Sequence, residues 1–233
     1  MTPLHPLAVW PHELRVLGVR LLALPLLALA GCGAILGLMA WQHAPAGLLT
    51  TMVTVGMEAI LPLAVGLMVA SVLALEPAIE LQLALPTPYR LTAFRRMAMI
   101  VAWTALIEAL VTLTLRMAVP WALVRPTGVS LLTWLAPVLW LAAVGALLAL
   151  LLRSRSASGA VLGGLWTAQH LFHTTFATIG WLQIWFLFAT IYDAGDAFWL
   201  ANRIALLLTA GLLGGAVWLY LRHADGRFTG EEG

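Results

Sequence analysis

The sequence has no lysine and only one cysteine among its 233 residues, and only 9% of its residues are charged. All twelve basic residues are arginines, so a phosphate-binding loop of the G-x-x-x-x-G-K type, which needs a lysine, is excluded. A single cysteine excludes a disulfide within the chain. Ordinary soluble domains carry about 25% charged residues. The scarcity of charge therefore excludes an ordinary soluble domain, and the chain cannot use ATP through such a loop itself.

Most of the sequence is apolar, with 62% hydrophobic residues and a mean hydropathy of +0.98. A helix needs about 20 apolar residues to cross a hydrocarbon layer of about 30 Å. Six long apolar runs are candidates for this role, at 18–41, 48–75, 97–118, 131–152, 157–177 and 203–221. The sequence therefore predicts an all-α polytopic membrane protein whose six transmembrane helices form one domain over residues 18–233.

The arginines are distributed unevenly around these runs. If the N-terminus is cytoplasmic, nine of the twelve lie inside: Arg15, Arg20, Arg90, Arg95, Arg96, Arg153, Arg155, Arg222 and Arg227. Arg125 and Arg203 then lie outside, and Arg116 falls within a span. Cytoplasmic loops carry such an excess of basic residues. We therefore expect both termini to be cytoplasmic in a bacterial inner membrane, with the arginines facing anionic lipid headgroups rather than nucleic acid.

The stretch 157–192 contains no formal charge and is too long for one span. Two full spans there would move Arg222 and Arg227 outside and weaken the arginine bias. We favour a fifth span at 157–177, followed by a re-entrant or interfacial hairpin through Trp181, Trp185 and Phe188. Asp193 and Asp196 would then cap the outer turn before the sixth span.

The N-terminal residues 1–17 differ from the spans. Leu7, Trp10, Leu14 and Leu17 recur at helical spacing, which predicts an interfacial helix; an extended tail is the alternative. Residues 29–32 match a bacterial lipoprotein cleavage box that would lipidate Cys32. The apolar run continues beyond the box, so we favour a thiol buried inside the first span.

The longest polar break on the predicted cytoplasmic side is 76–96. Pro77 suits a first helical turn and Pro86 ends a helix, which predicts a short helix of about two turns between them. A membrane protein without a nucleotide site needs an energy source, and this short helix is the feature suited to receive force. An ordinary interfacial loop is the alternative reading.

These residues give the chain its resemblance to the membrane subunits of type-2 ABC exporters. In that family an acidic residue, Glu-Leu, an apolar run, Pro, three residues and Arg form the coupling helix. The residues of this chain that match are Glu76, Glu80, Leu81, Leu83, Leu85, Pro86 and Arg90, within 76–90. The resemblance also covers the interfacial N-terminal helix, the six spans and the hairpin. The chain departs from the pattern in having Ala78 and Ile79 where many relatives have a glycine, and in lacking Asn-Pro in the hairpin.

The resemblance implies partners and excludes a bound cofactor. The chain would be the permease subunit of an ATP-driven transporter, with the coupling helix docked on a dimeric ABC ATPase. ATP and Mg²⁺ would bind only to that partner, and this chain would carry neither a cofactor nor a metal and would not be an enzyme. A second permease copy or a sister permease would complete the translocation path.

Several polar residues within the spans are candidates for lining that path: Glu58, Glu108, Arg116, His170 and His173. Both glutamates fall near mid-membrane, where a carboxyl must face protein or water. Arg116 lies two turns beyond Glu108 and is its expected counter-ion. A structural role for these charges is the alternative. The two histidines share a helix face, but without a third ligand we expect hydrogen bonding rather than a metal or haem site.

Three pairs of small residues predict close helix packing. They are Gly66 with Ala70, Gly159 with Gly163, and Gly211 with Gly215.

Two other functions compete with the exporter. A haem-export permease of cytochrome c maturation has a similar Glu-Leu-Leu-Pro segment, and His170 with His173 is its support here. An intramembrane serine protease needs a serine on one span and a histidine on another. Ser158 with Gly159 fits that pattern poorly, because the nearest histidines share the helix of Ser158.

Overall fold

The computed structural model describes residues 9–74, 89–118, 127–193 and 198–229, and every element in these ranges is a helix. The helices are α1 (Val9–Trp41), α2 (Ala46–Val55), π1 (Gly56–Ile60), α3 (Leu61–Ala74), α4 (Tyr89–Ala118), α5 (Thr127–Leu152), α6 (Arg155–Leu171), α7 (His173–Thr178), α8 (Gly180–Gln183), α9 (Ala189–Asp193) and α10 (Trp199–Thr229). The prediction of an all-α fold is confirmed for the described residues.

Five helical stretches are long and apolar enough to cross a membrane. They are Ala23–Trp41, Ala46–Ala74, Tyr89–Met117, Ser130–Leu152 and Trp199–His223. The second stretch runs through α2, π1 and α3 without a break. The chain therefore has the character of a multi-pass membrane protein.

The predicted fifth span, 157–177, is not one continuous helix. α6 has 17 residues and ends at Leu171, so it is about 25 Å long at 1.5 Å per residue. Phe172 leaves helical geometry (φ −104°, ψ 29°) before α7 begins. The apolar pattern continues through residue 177, so apolarity did not reveal this break.

A break at Gly18 divides α1. Residues 9–17 are helical, and Gly18 has φ 72° and ψ 150°, a conformation open to glycine because it lacks a Cβ. For residues 9–17 the structure therefore has the expected separate helix rather than the extended tail. The remainder of α1 runs as one helix to Trp41.

The centre of the bundle is the contact between α3 and α5. A Cβ added at Gly145 would lie 2.4 Å from the Gly66 carbonyl oxygen, so both helices approach through backbone. Ala70, one turn from Gly66, is 1% exposed. The prediction of close packing at Gly66 and Ala70 is confirmed.

The other two small-residue pairs pack differently. Gly159 faces Leu67 of α3, whereas an added Cβ would meet nothing within 4 Å at Gly163, Gly211 or Gly215. These three glycines make no close helix contact within the described residues, and the packing predicted for them is wrong there.

Two of the bundle's arginines meet the same stretch of α10. The guanidinium carbon of Arg90 lies 5.4 Å from the centroid of the Trp218 ring, and Arg153 Nη2 donates to the Tyr220 hydroxyl at 3.5 Å. Arg222 follows two residues later. We call this the arginine end of the bundle. Trp199, 19 residues before Trp218, lies about 28 Å away along α10.

The connection between α5 and α6 is very short. Leu152 ends α5 and Arg155 begins α6, which leaves only Arg153 and Ser154 between them. Arg153 takes a left-handed conformation (φ 48°), and the Ser154 hydroxyl accepts a hydrogen bond from the Ala157 amide at 3.3 Å. This side-chain cap satisfies one of the free amides at the start of α6.

Candidate functional site

A buried ion pair joins the second apolar helix to the last one. Glu58 in π1 and Arg203 in α10 are both 0% exposed, and Arg203 Nη2 donates to Glu58 Oε1. The backbone amides of Thr190 and Ile191 donate to the two oxygens of Glu58, each at 2.9 Å. The carboxylate is thus surrounded by donors from α9 and α10, which is the condition for keeping a buried charge.

The local sequence explains why Glu58 lies on an irregular turn. Pro62 has no amide hydrogen to donate to the carbonyl four residues earlier, so a regular α-helix cannot be completed there. The Leu61 amide donates instead to the Gly56 carbonyl, five residues back. The widened turn also leaves the Ala59 carbonyl to accept a hydrogen bond from Trp166 Nε1 of α6 at 3.0 Å. Single π turns of this kind are frequent at functional sites.

The segment 183–191 runs from the last residue of α8 into α9, and side chains of other helices form hydrogen bonds with its backbone. Asn202 Nδ2 donates to the carbonyls of Gln183, Ile184 and Phe186 at 2.6, 3.2 and 3.0 Å. Arg203 Nη1 donates to the Leu187 carbonyl at 3.1 Å. Neighbouring side chains of α10 therefore replace the hydrogen bonds that a continuous helix would supply.

The same segment also forms a hydrogen bond with a side chain of α6, and its Thr190 hydroxyl forms hydrogen bonds with α10. The Leu187 amide donates to Gln169 Oε1 at 2.8 Å. Thr190 Oγ1 accepts from Trp199 Nε1 at 2.7 Å and from Arg203 Nη2 at 3.1 Å. We call the set Glu58, Gln169, Thr190, Trp199, Asn202 and Arg203 the hairpin lock.

Glu58 places the hairpin lock well away from both ends of the helical stretch Ala46–Ala74. Glu58 is 12 residues from Ala46 and 16 from Ala74, which corresponds to about 18 and 24 Å. The backbone of residues 187–191 therefore meets this helix near its middle, not at its end.

The three aromatic residues predicted for the hairpin divide between surface and core. Trp181 is 67% exposed and Trp185 is 38% exposed, whereas Phe188 is fully buried. The predicted capping role of Asp196 lies outside the described residues, and so does the side chain of Asp193.

Two expectations about arginines were wrong. Arg203 was expected as the first residue of the last span, but α10 begins four residues earlier and Arg203 is buried in the hairpin lock. Arg116 was expected to pair with Glu108, but its side chain is exposed. The two residues are eight positions apart, about 12 Å along α4, which is too far for a direct ion pair.

Glu108 is the second buried carboxyl, and nothing in the described residues binds it. It is 0% exposed, and both of its carboxyl oxygens lack a hydrogen-bond partner there. The hydroxyl of Thr104, four residues earlier on the same face of α4, is also buried and unpartnered among the described residues. Of the two glutamates, only Glu58 belongs to a completed network.

His170 and His173 belong to an aromatic cluster beside the hairpin. His170 Nδ1 lies 3.1 Å from the Tyr192 hydroxyl, and the His173 ring stacks on the Tyr192 ring at 4.2 Å between centroids. The Phe188 ring lies 4.4 Å from that of His170. Within the described residues no group of three or more potential ligands could hold a metal ion. The two histidines therefore pack against aromatic rings and form hydrogen bonds.

Ser158 is placed as a structural residue. It is 0% exposed, and its hydroxyl donates to the Ser154 carbonyl at 2.8 Å. His170 lies 12 residues further along the same helix, about 18 Å away. Among the described residues, His170 is therefore too far along the helix to act as a base for Ser158.

Of the residues predicted to couple to an ATPase, the structure describes only one. Glu76, Glu80, Leu81, Leu83, Leu85 and Pro86 lie outside the described residues. Arg90 lies in the first turn of α4, against Trp218 at the arginine end.

Sequence reasoning did not single out Gln169, Thr190, Trp199 or Asn202 as binding partners. A signal existed, since Asn202 and Arg203 are adjacent polar residues in an otherwise apolar run, and such residues usually face the interior of a bundle. Their partners are mostly backbone groups of the hairpin, which no side-chain motif reveals.

Comparison with known proteins identifies no relative. No protein-family model, no curated protein and no solved structure matches this chain.

Proposed function

We propose that the chain is the transmembrane subunit of an ATP-driven transporter, an exporter of the type-2 ABC class, and that a separate ATPase subunit supplies the energy. Segment 76–90 matches a coupling helix in sequence. The observation that carries the proposal is that its last residue, Arg90, lies in the first turn of α4 at the arginine end. An ATPase can reach this segment if the arginine end is cytoplasmic.

The clustering of arginines supports that orientation. Arg90 and Arg153, 63 positions apart in the sequence, meet the same stretch of α10. A bundle with its basic residues at one end has the asymmetry of a cytoplasmic face. In this orientation α6 is the fifth of six spans, and both termini are cytoplasmic.

The hairpin lock supports the six-span interpretation of 157–192. Backbone at membrane depth is tolerated where other protein groups satisfy its hydrogen bonds, and Asn202, Arg203, Gln169 and Glu58 do this for residues 183–191. These hydrogen bonds support our proposal of a re-entrant hairpin rather than an additional span.

Two permease copies and an ATPase dimer would form the working transporter. The arrangement is part of the resemblance to type-2 exporters, in which the translocation path runs between the two permeases. The exposed apolar side chains of α1 and α10, such as Leu27 and Leu212, face lipid or the second copy.

Co-purification with an ATPase tests the proposal. The chain, expressed together with its genomic neighbours in bacterial membranes, is expected to bring down an ABC ATPase. Replacement of both Glu80 and Leu83 by alanine should abolish the ATP hydrolysis that the chain stimulates, while membrane insertion is kept. Arg155→Gln, at the first residue of α6 and two residues from Arg153, is the matched control and should retain stimulation. Stimulated hydrolysis that persists unchanged in the double variant would refute the coupling assignment.

A further inference from the structure

The two buried glutamates of the bundle differ in whether their carboxyl groups have binding partners in the described residues. Glu58 has a cation and two backbone amides as partners, whereas Glu108 has none among the described residues. Burying a carboxylate without a partner costs several kcal/mol, and sites that keep such a group are usually functional. The arginine nearest to Glu108 on α4, Arg116, is exposed.

The surroundings of Glu108 contain a second free acceptor. Thr104, Glu108, Val111 and Leu115 are spaced by four, three and four residues, so they form one stripe along α4. Glu108 and Thr104 together contribute three buried side-chain oxygens without partners in the described residues. The Cys32 thiol lies three residues, about one turn, beyond Leu29 on α1.

The same stripe leads into a cleft between α1 and α4. The cleft has a volume of about 330 Å³, and Leu26 and Leu29 of α1 and Val111, Thr114 and Leu115 of α4 belong to its lining. Small-molecule sites typically have volumes of about 300–1,000 Å³, with mainly apolar walls and a few polar groups. Glu108 lies one turn along the stripe from Val111, buried directly beyond the lining of the cleft.

We infer that Glu108, with Thr104, binds the ammonium group of an amphipathic amine whose apolar body occupies the cleft between α1 and α4. An ammonium group supplies both the missing positive charge and donors for the three free oxygens. Glu108 is covered in this structure, so the amine reaches it after side chains of the lining nearest to it, such as Ile107 and Val111, turn aside. A metal ion fits less well, because no group of three ligands exists in the described residues.

This inference rests on the proposed transport function and names a substrate class for it. An exporter of amphipathic amines would take its substrate from the lipid phase through the cleft. Glu58 has no part in this recognition, because its oxygens are occupied by the hairpin lock.

Equilibrium binding to the purified full-length chain in lipid nanodiscs tests the inference. The probe is dansylcadaverine, a fluorescent primary amine, and its N-acetylated form is the uncharged counterpart; fluorescence anisotropy reports binding. We expect the wild type to prefer the amine, and Glu108→Gln to weaken amine binding by about tenfold or more, equivalent to about 1.4 kcal/mol. Arg116→Gln, which changes an exposed charge on the same helix, is the matched control and should bind like the wild type.

The native thiol provides a second measurement that needs no variant. Cys32 is the only cysteine of the chain, so N-ethylmaleimide reports on one site, one turn beyond Leu29 of the cleft lining. Dansylcadaverine should slow alkylation of Cys32 severalfold, and the acetylated form should not. Equal binding of the two probes, equal binding by Glu108→Gln, or unprotected Cys32 in the wild type would overturn the inference.

Neither measurement involves an ATPase. If the chain does not prefer the amine but still stimulates a partner ATPase through Glu80 and Leu83, only the substrate class is wrong. If the chain binds the amine but co-purifies with no ATPase, only the exporter proposal is wrong.

Discussion

At the scale of single residues, the hairpin lock depends on one ion pair that is fully removed from water. The Glu58 carboxylate and the Arg203 guanidinium share further hydrogen bonds with Thr190, so neither charge relies on the other alone. Breaking a buried pair leaves an uncompensated charge and typically costs about 3–5 kcal/mol, whereas replacing both charges by apolar groups is often tolerated. Replacing only Glu58 or only Arg203 should therefore destabilise the protein more than replacing both together.

We predict that Glu58→Gln and Arg203→Met each lower the free energy of unfolding by about 3 kcal/mol or more. The double variant should lose less than the sum of the two. Unfolding of the detergent-solubilised chain by sodium dodecyl sulfate, followed by tryptophan fluorescence, measures these changes. Arg116→Gln is the control and should change stability by less than about 0.5 kcal/mol, as exposed positions do. Strictly additive losses would show that the two side chains are not coupled.

At the scale of elements, the contact between α3 and α5 leaves no room for added atoms. Gly66 and Gly145 approach so closely that a methyl group on either would overlap a backbone carbonyl. Backbone cannot move aside as a flexible side chain can, so the helices themselves would have to separate. Gly211 of α10 offers the opposite case, since an added methyl would meet nothing within 4 Å.

The matched pair Gly145→Ala and Gly211→Ala tests this packing. Gly145→Ala should destabilise the bundle by about 1–3 kcal/mol, the usual cost of overpacking. Gly211→Ala should be neutral or slightly stabilising, because alanine favours a helix by up to about 1 kcal/mol over glycine. The midpoint of thermal unfolding in detergent gives the comparison. A destabilised Gly211→Ala would instead indicate that a second copy covers α10.

At the scale of the whole molecule, the ends of the bundle are chemically distinct. Arg90, Arg153 and Arg222 gather around one end of α10, and the hairpin lock lies near the other. About 28 Å of helix separates Trp199 from Trp218, which is close to the thickness of a hydrocarbon layer. The molecule is thus dimensioned to present its two ends to opposite sides of a membrane.

Accessibility labelling of introduced thiols tests this arrangement. In a Cys32→Ser background, Ser156→Cys and Thr87→Cys should react with a membrane-impermeant maleimide only in inverted inner-membrane vesicles. Ala44→Cys and Trp181→Cys should react in intact spheroplasts. Labelling of Thr87→Cys in intact spheroplasts would place segment 76–90 on the extracytoplasmic side, where no ATPase can bind it, and would refute the exporter proposal.

The apolar runs predicted the helices well because the requirement to span hydrocarbon acts on each segment separately. All five stretches end within two residues of the runs predicted from the sequence, whereas Tyr89–Met117 begins eight residues before its run and Ala23–Trp41 begins five residues after its run. The break at Phe172 and the turn at π1 were not predicted, since both depend on hydrogen bonds from other helices.

The partners of the charged residues were predicted least well. Arg116 was paired with Glu108 because the two are near in sequence, whereas the structure pairs Glu58 with Arg203, 145 positions away. Long-range pairing depends on how the helices are arranged, and one sequence carries no record of that arrangement. The burial of Glu58 and Glu108 away from lipid was predictable. It was not predictable that, among the described residues, Glu58 has hydrogen-bond partners and Glu108 has none.

The two-residue connection between α5 and α6 has a mechanical consequence. Two residues can extend over only about 7 Å, so the neighbouring ends of these helices cannot separate by more than a few ångströms. Gln169 and Trp166, on the far part of α6, bind segment 183–191 and the turn at Ala59. We therefore expect any tilt of α5 at the arginine end to move α6, and with it the two segments that α6 binds.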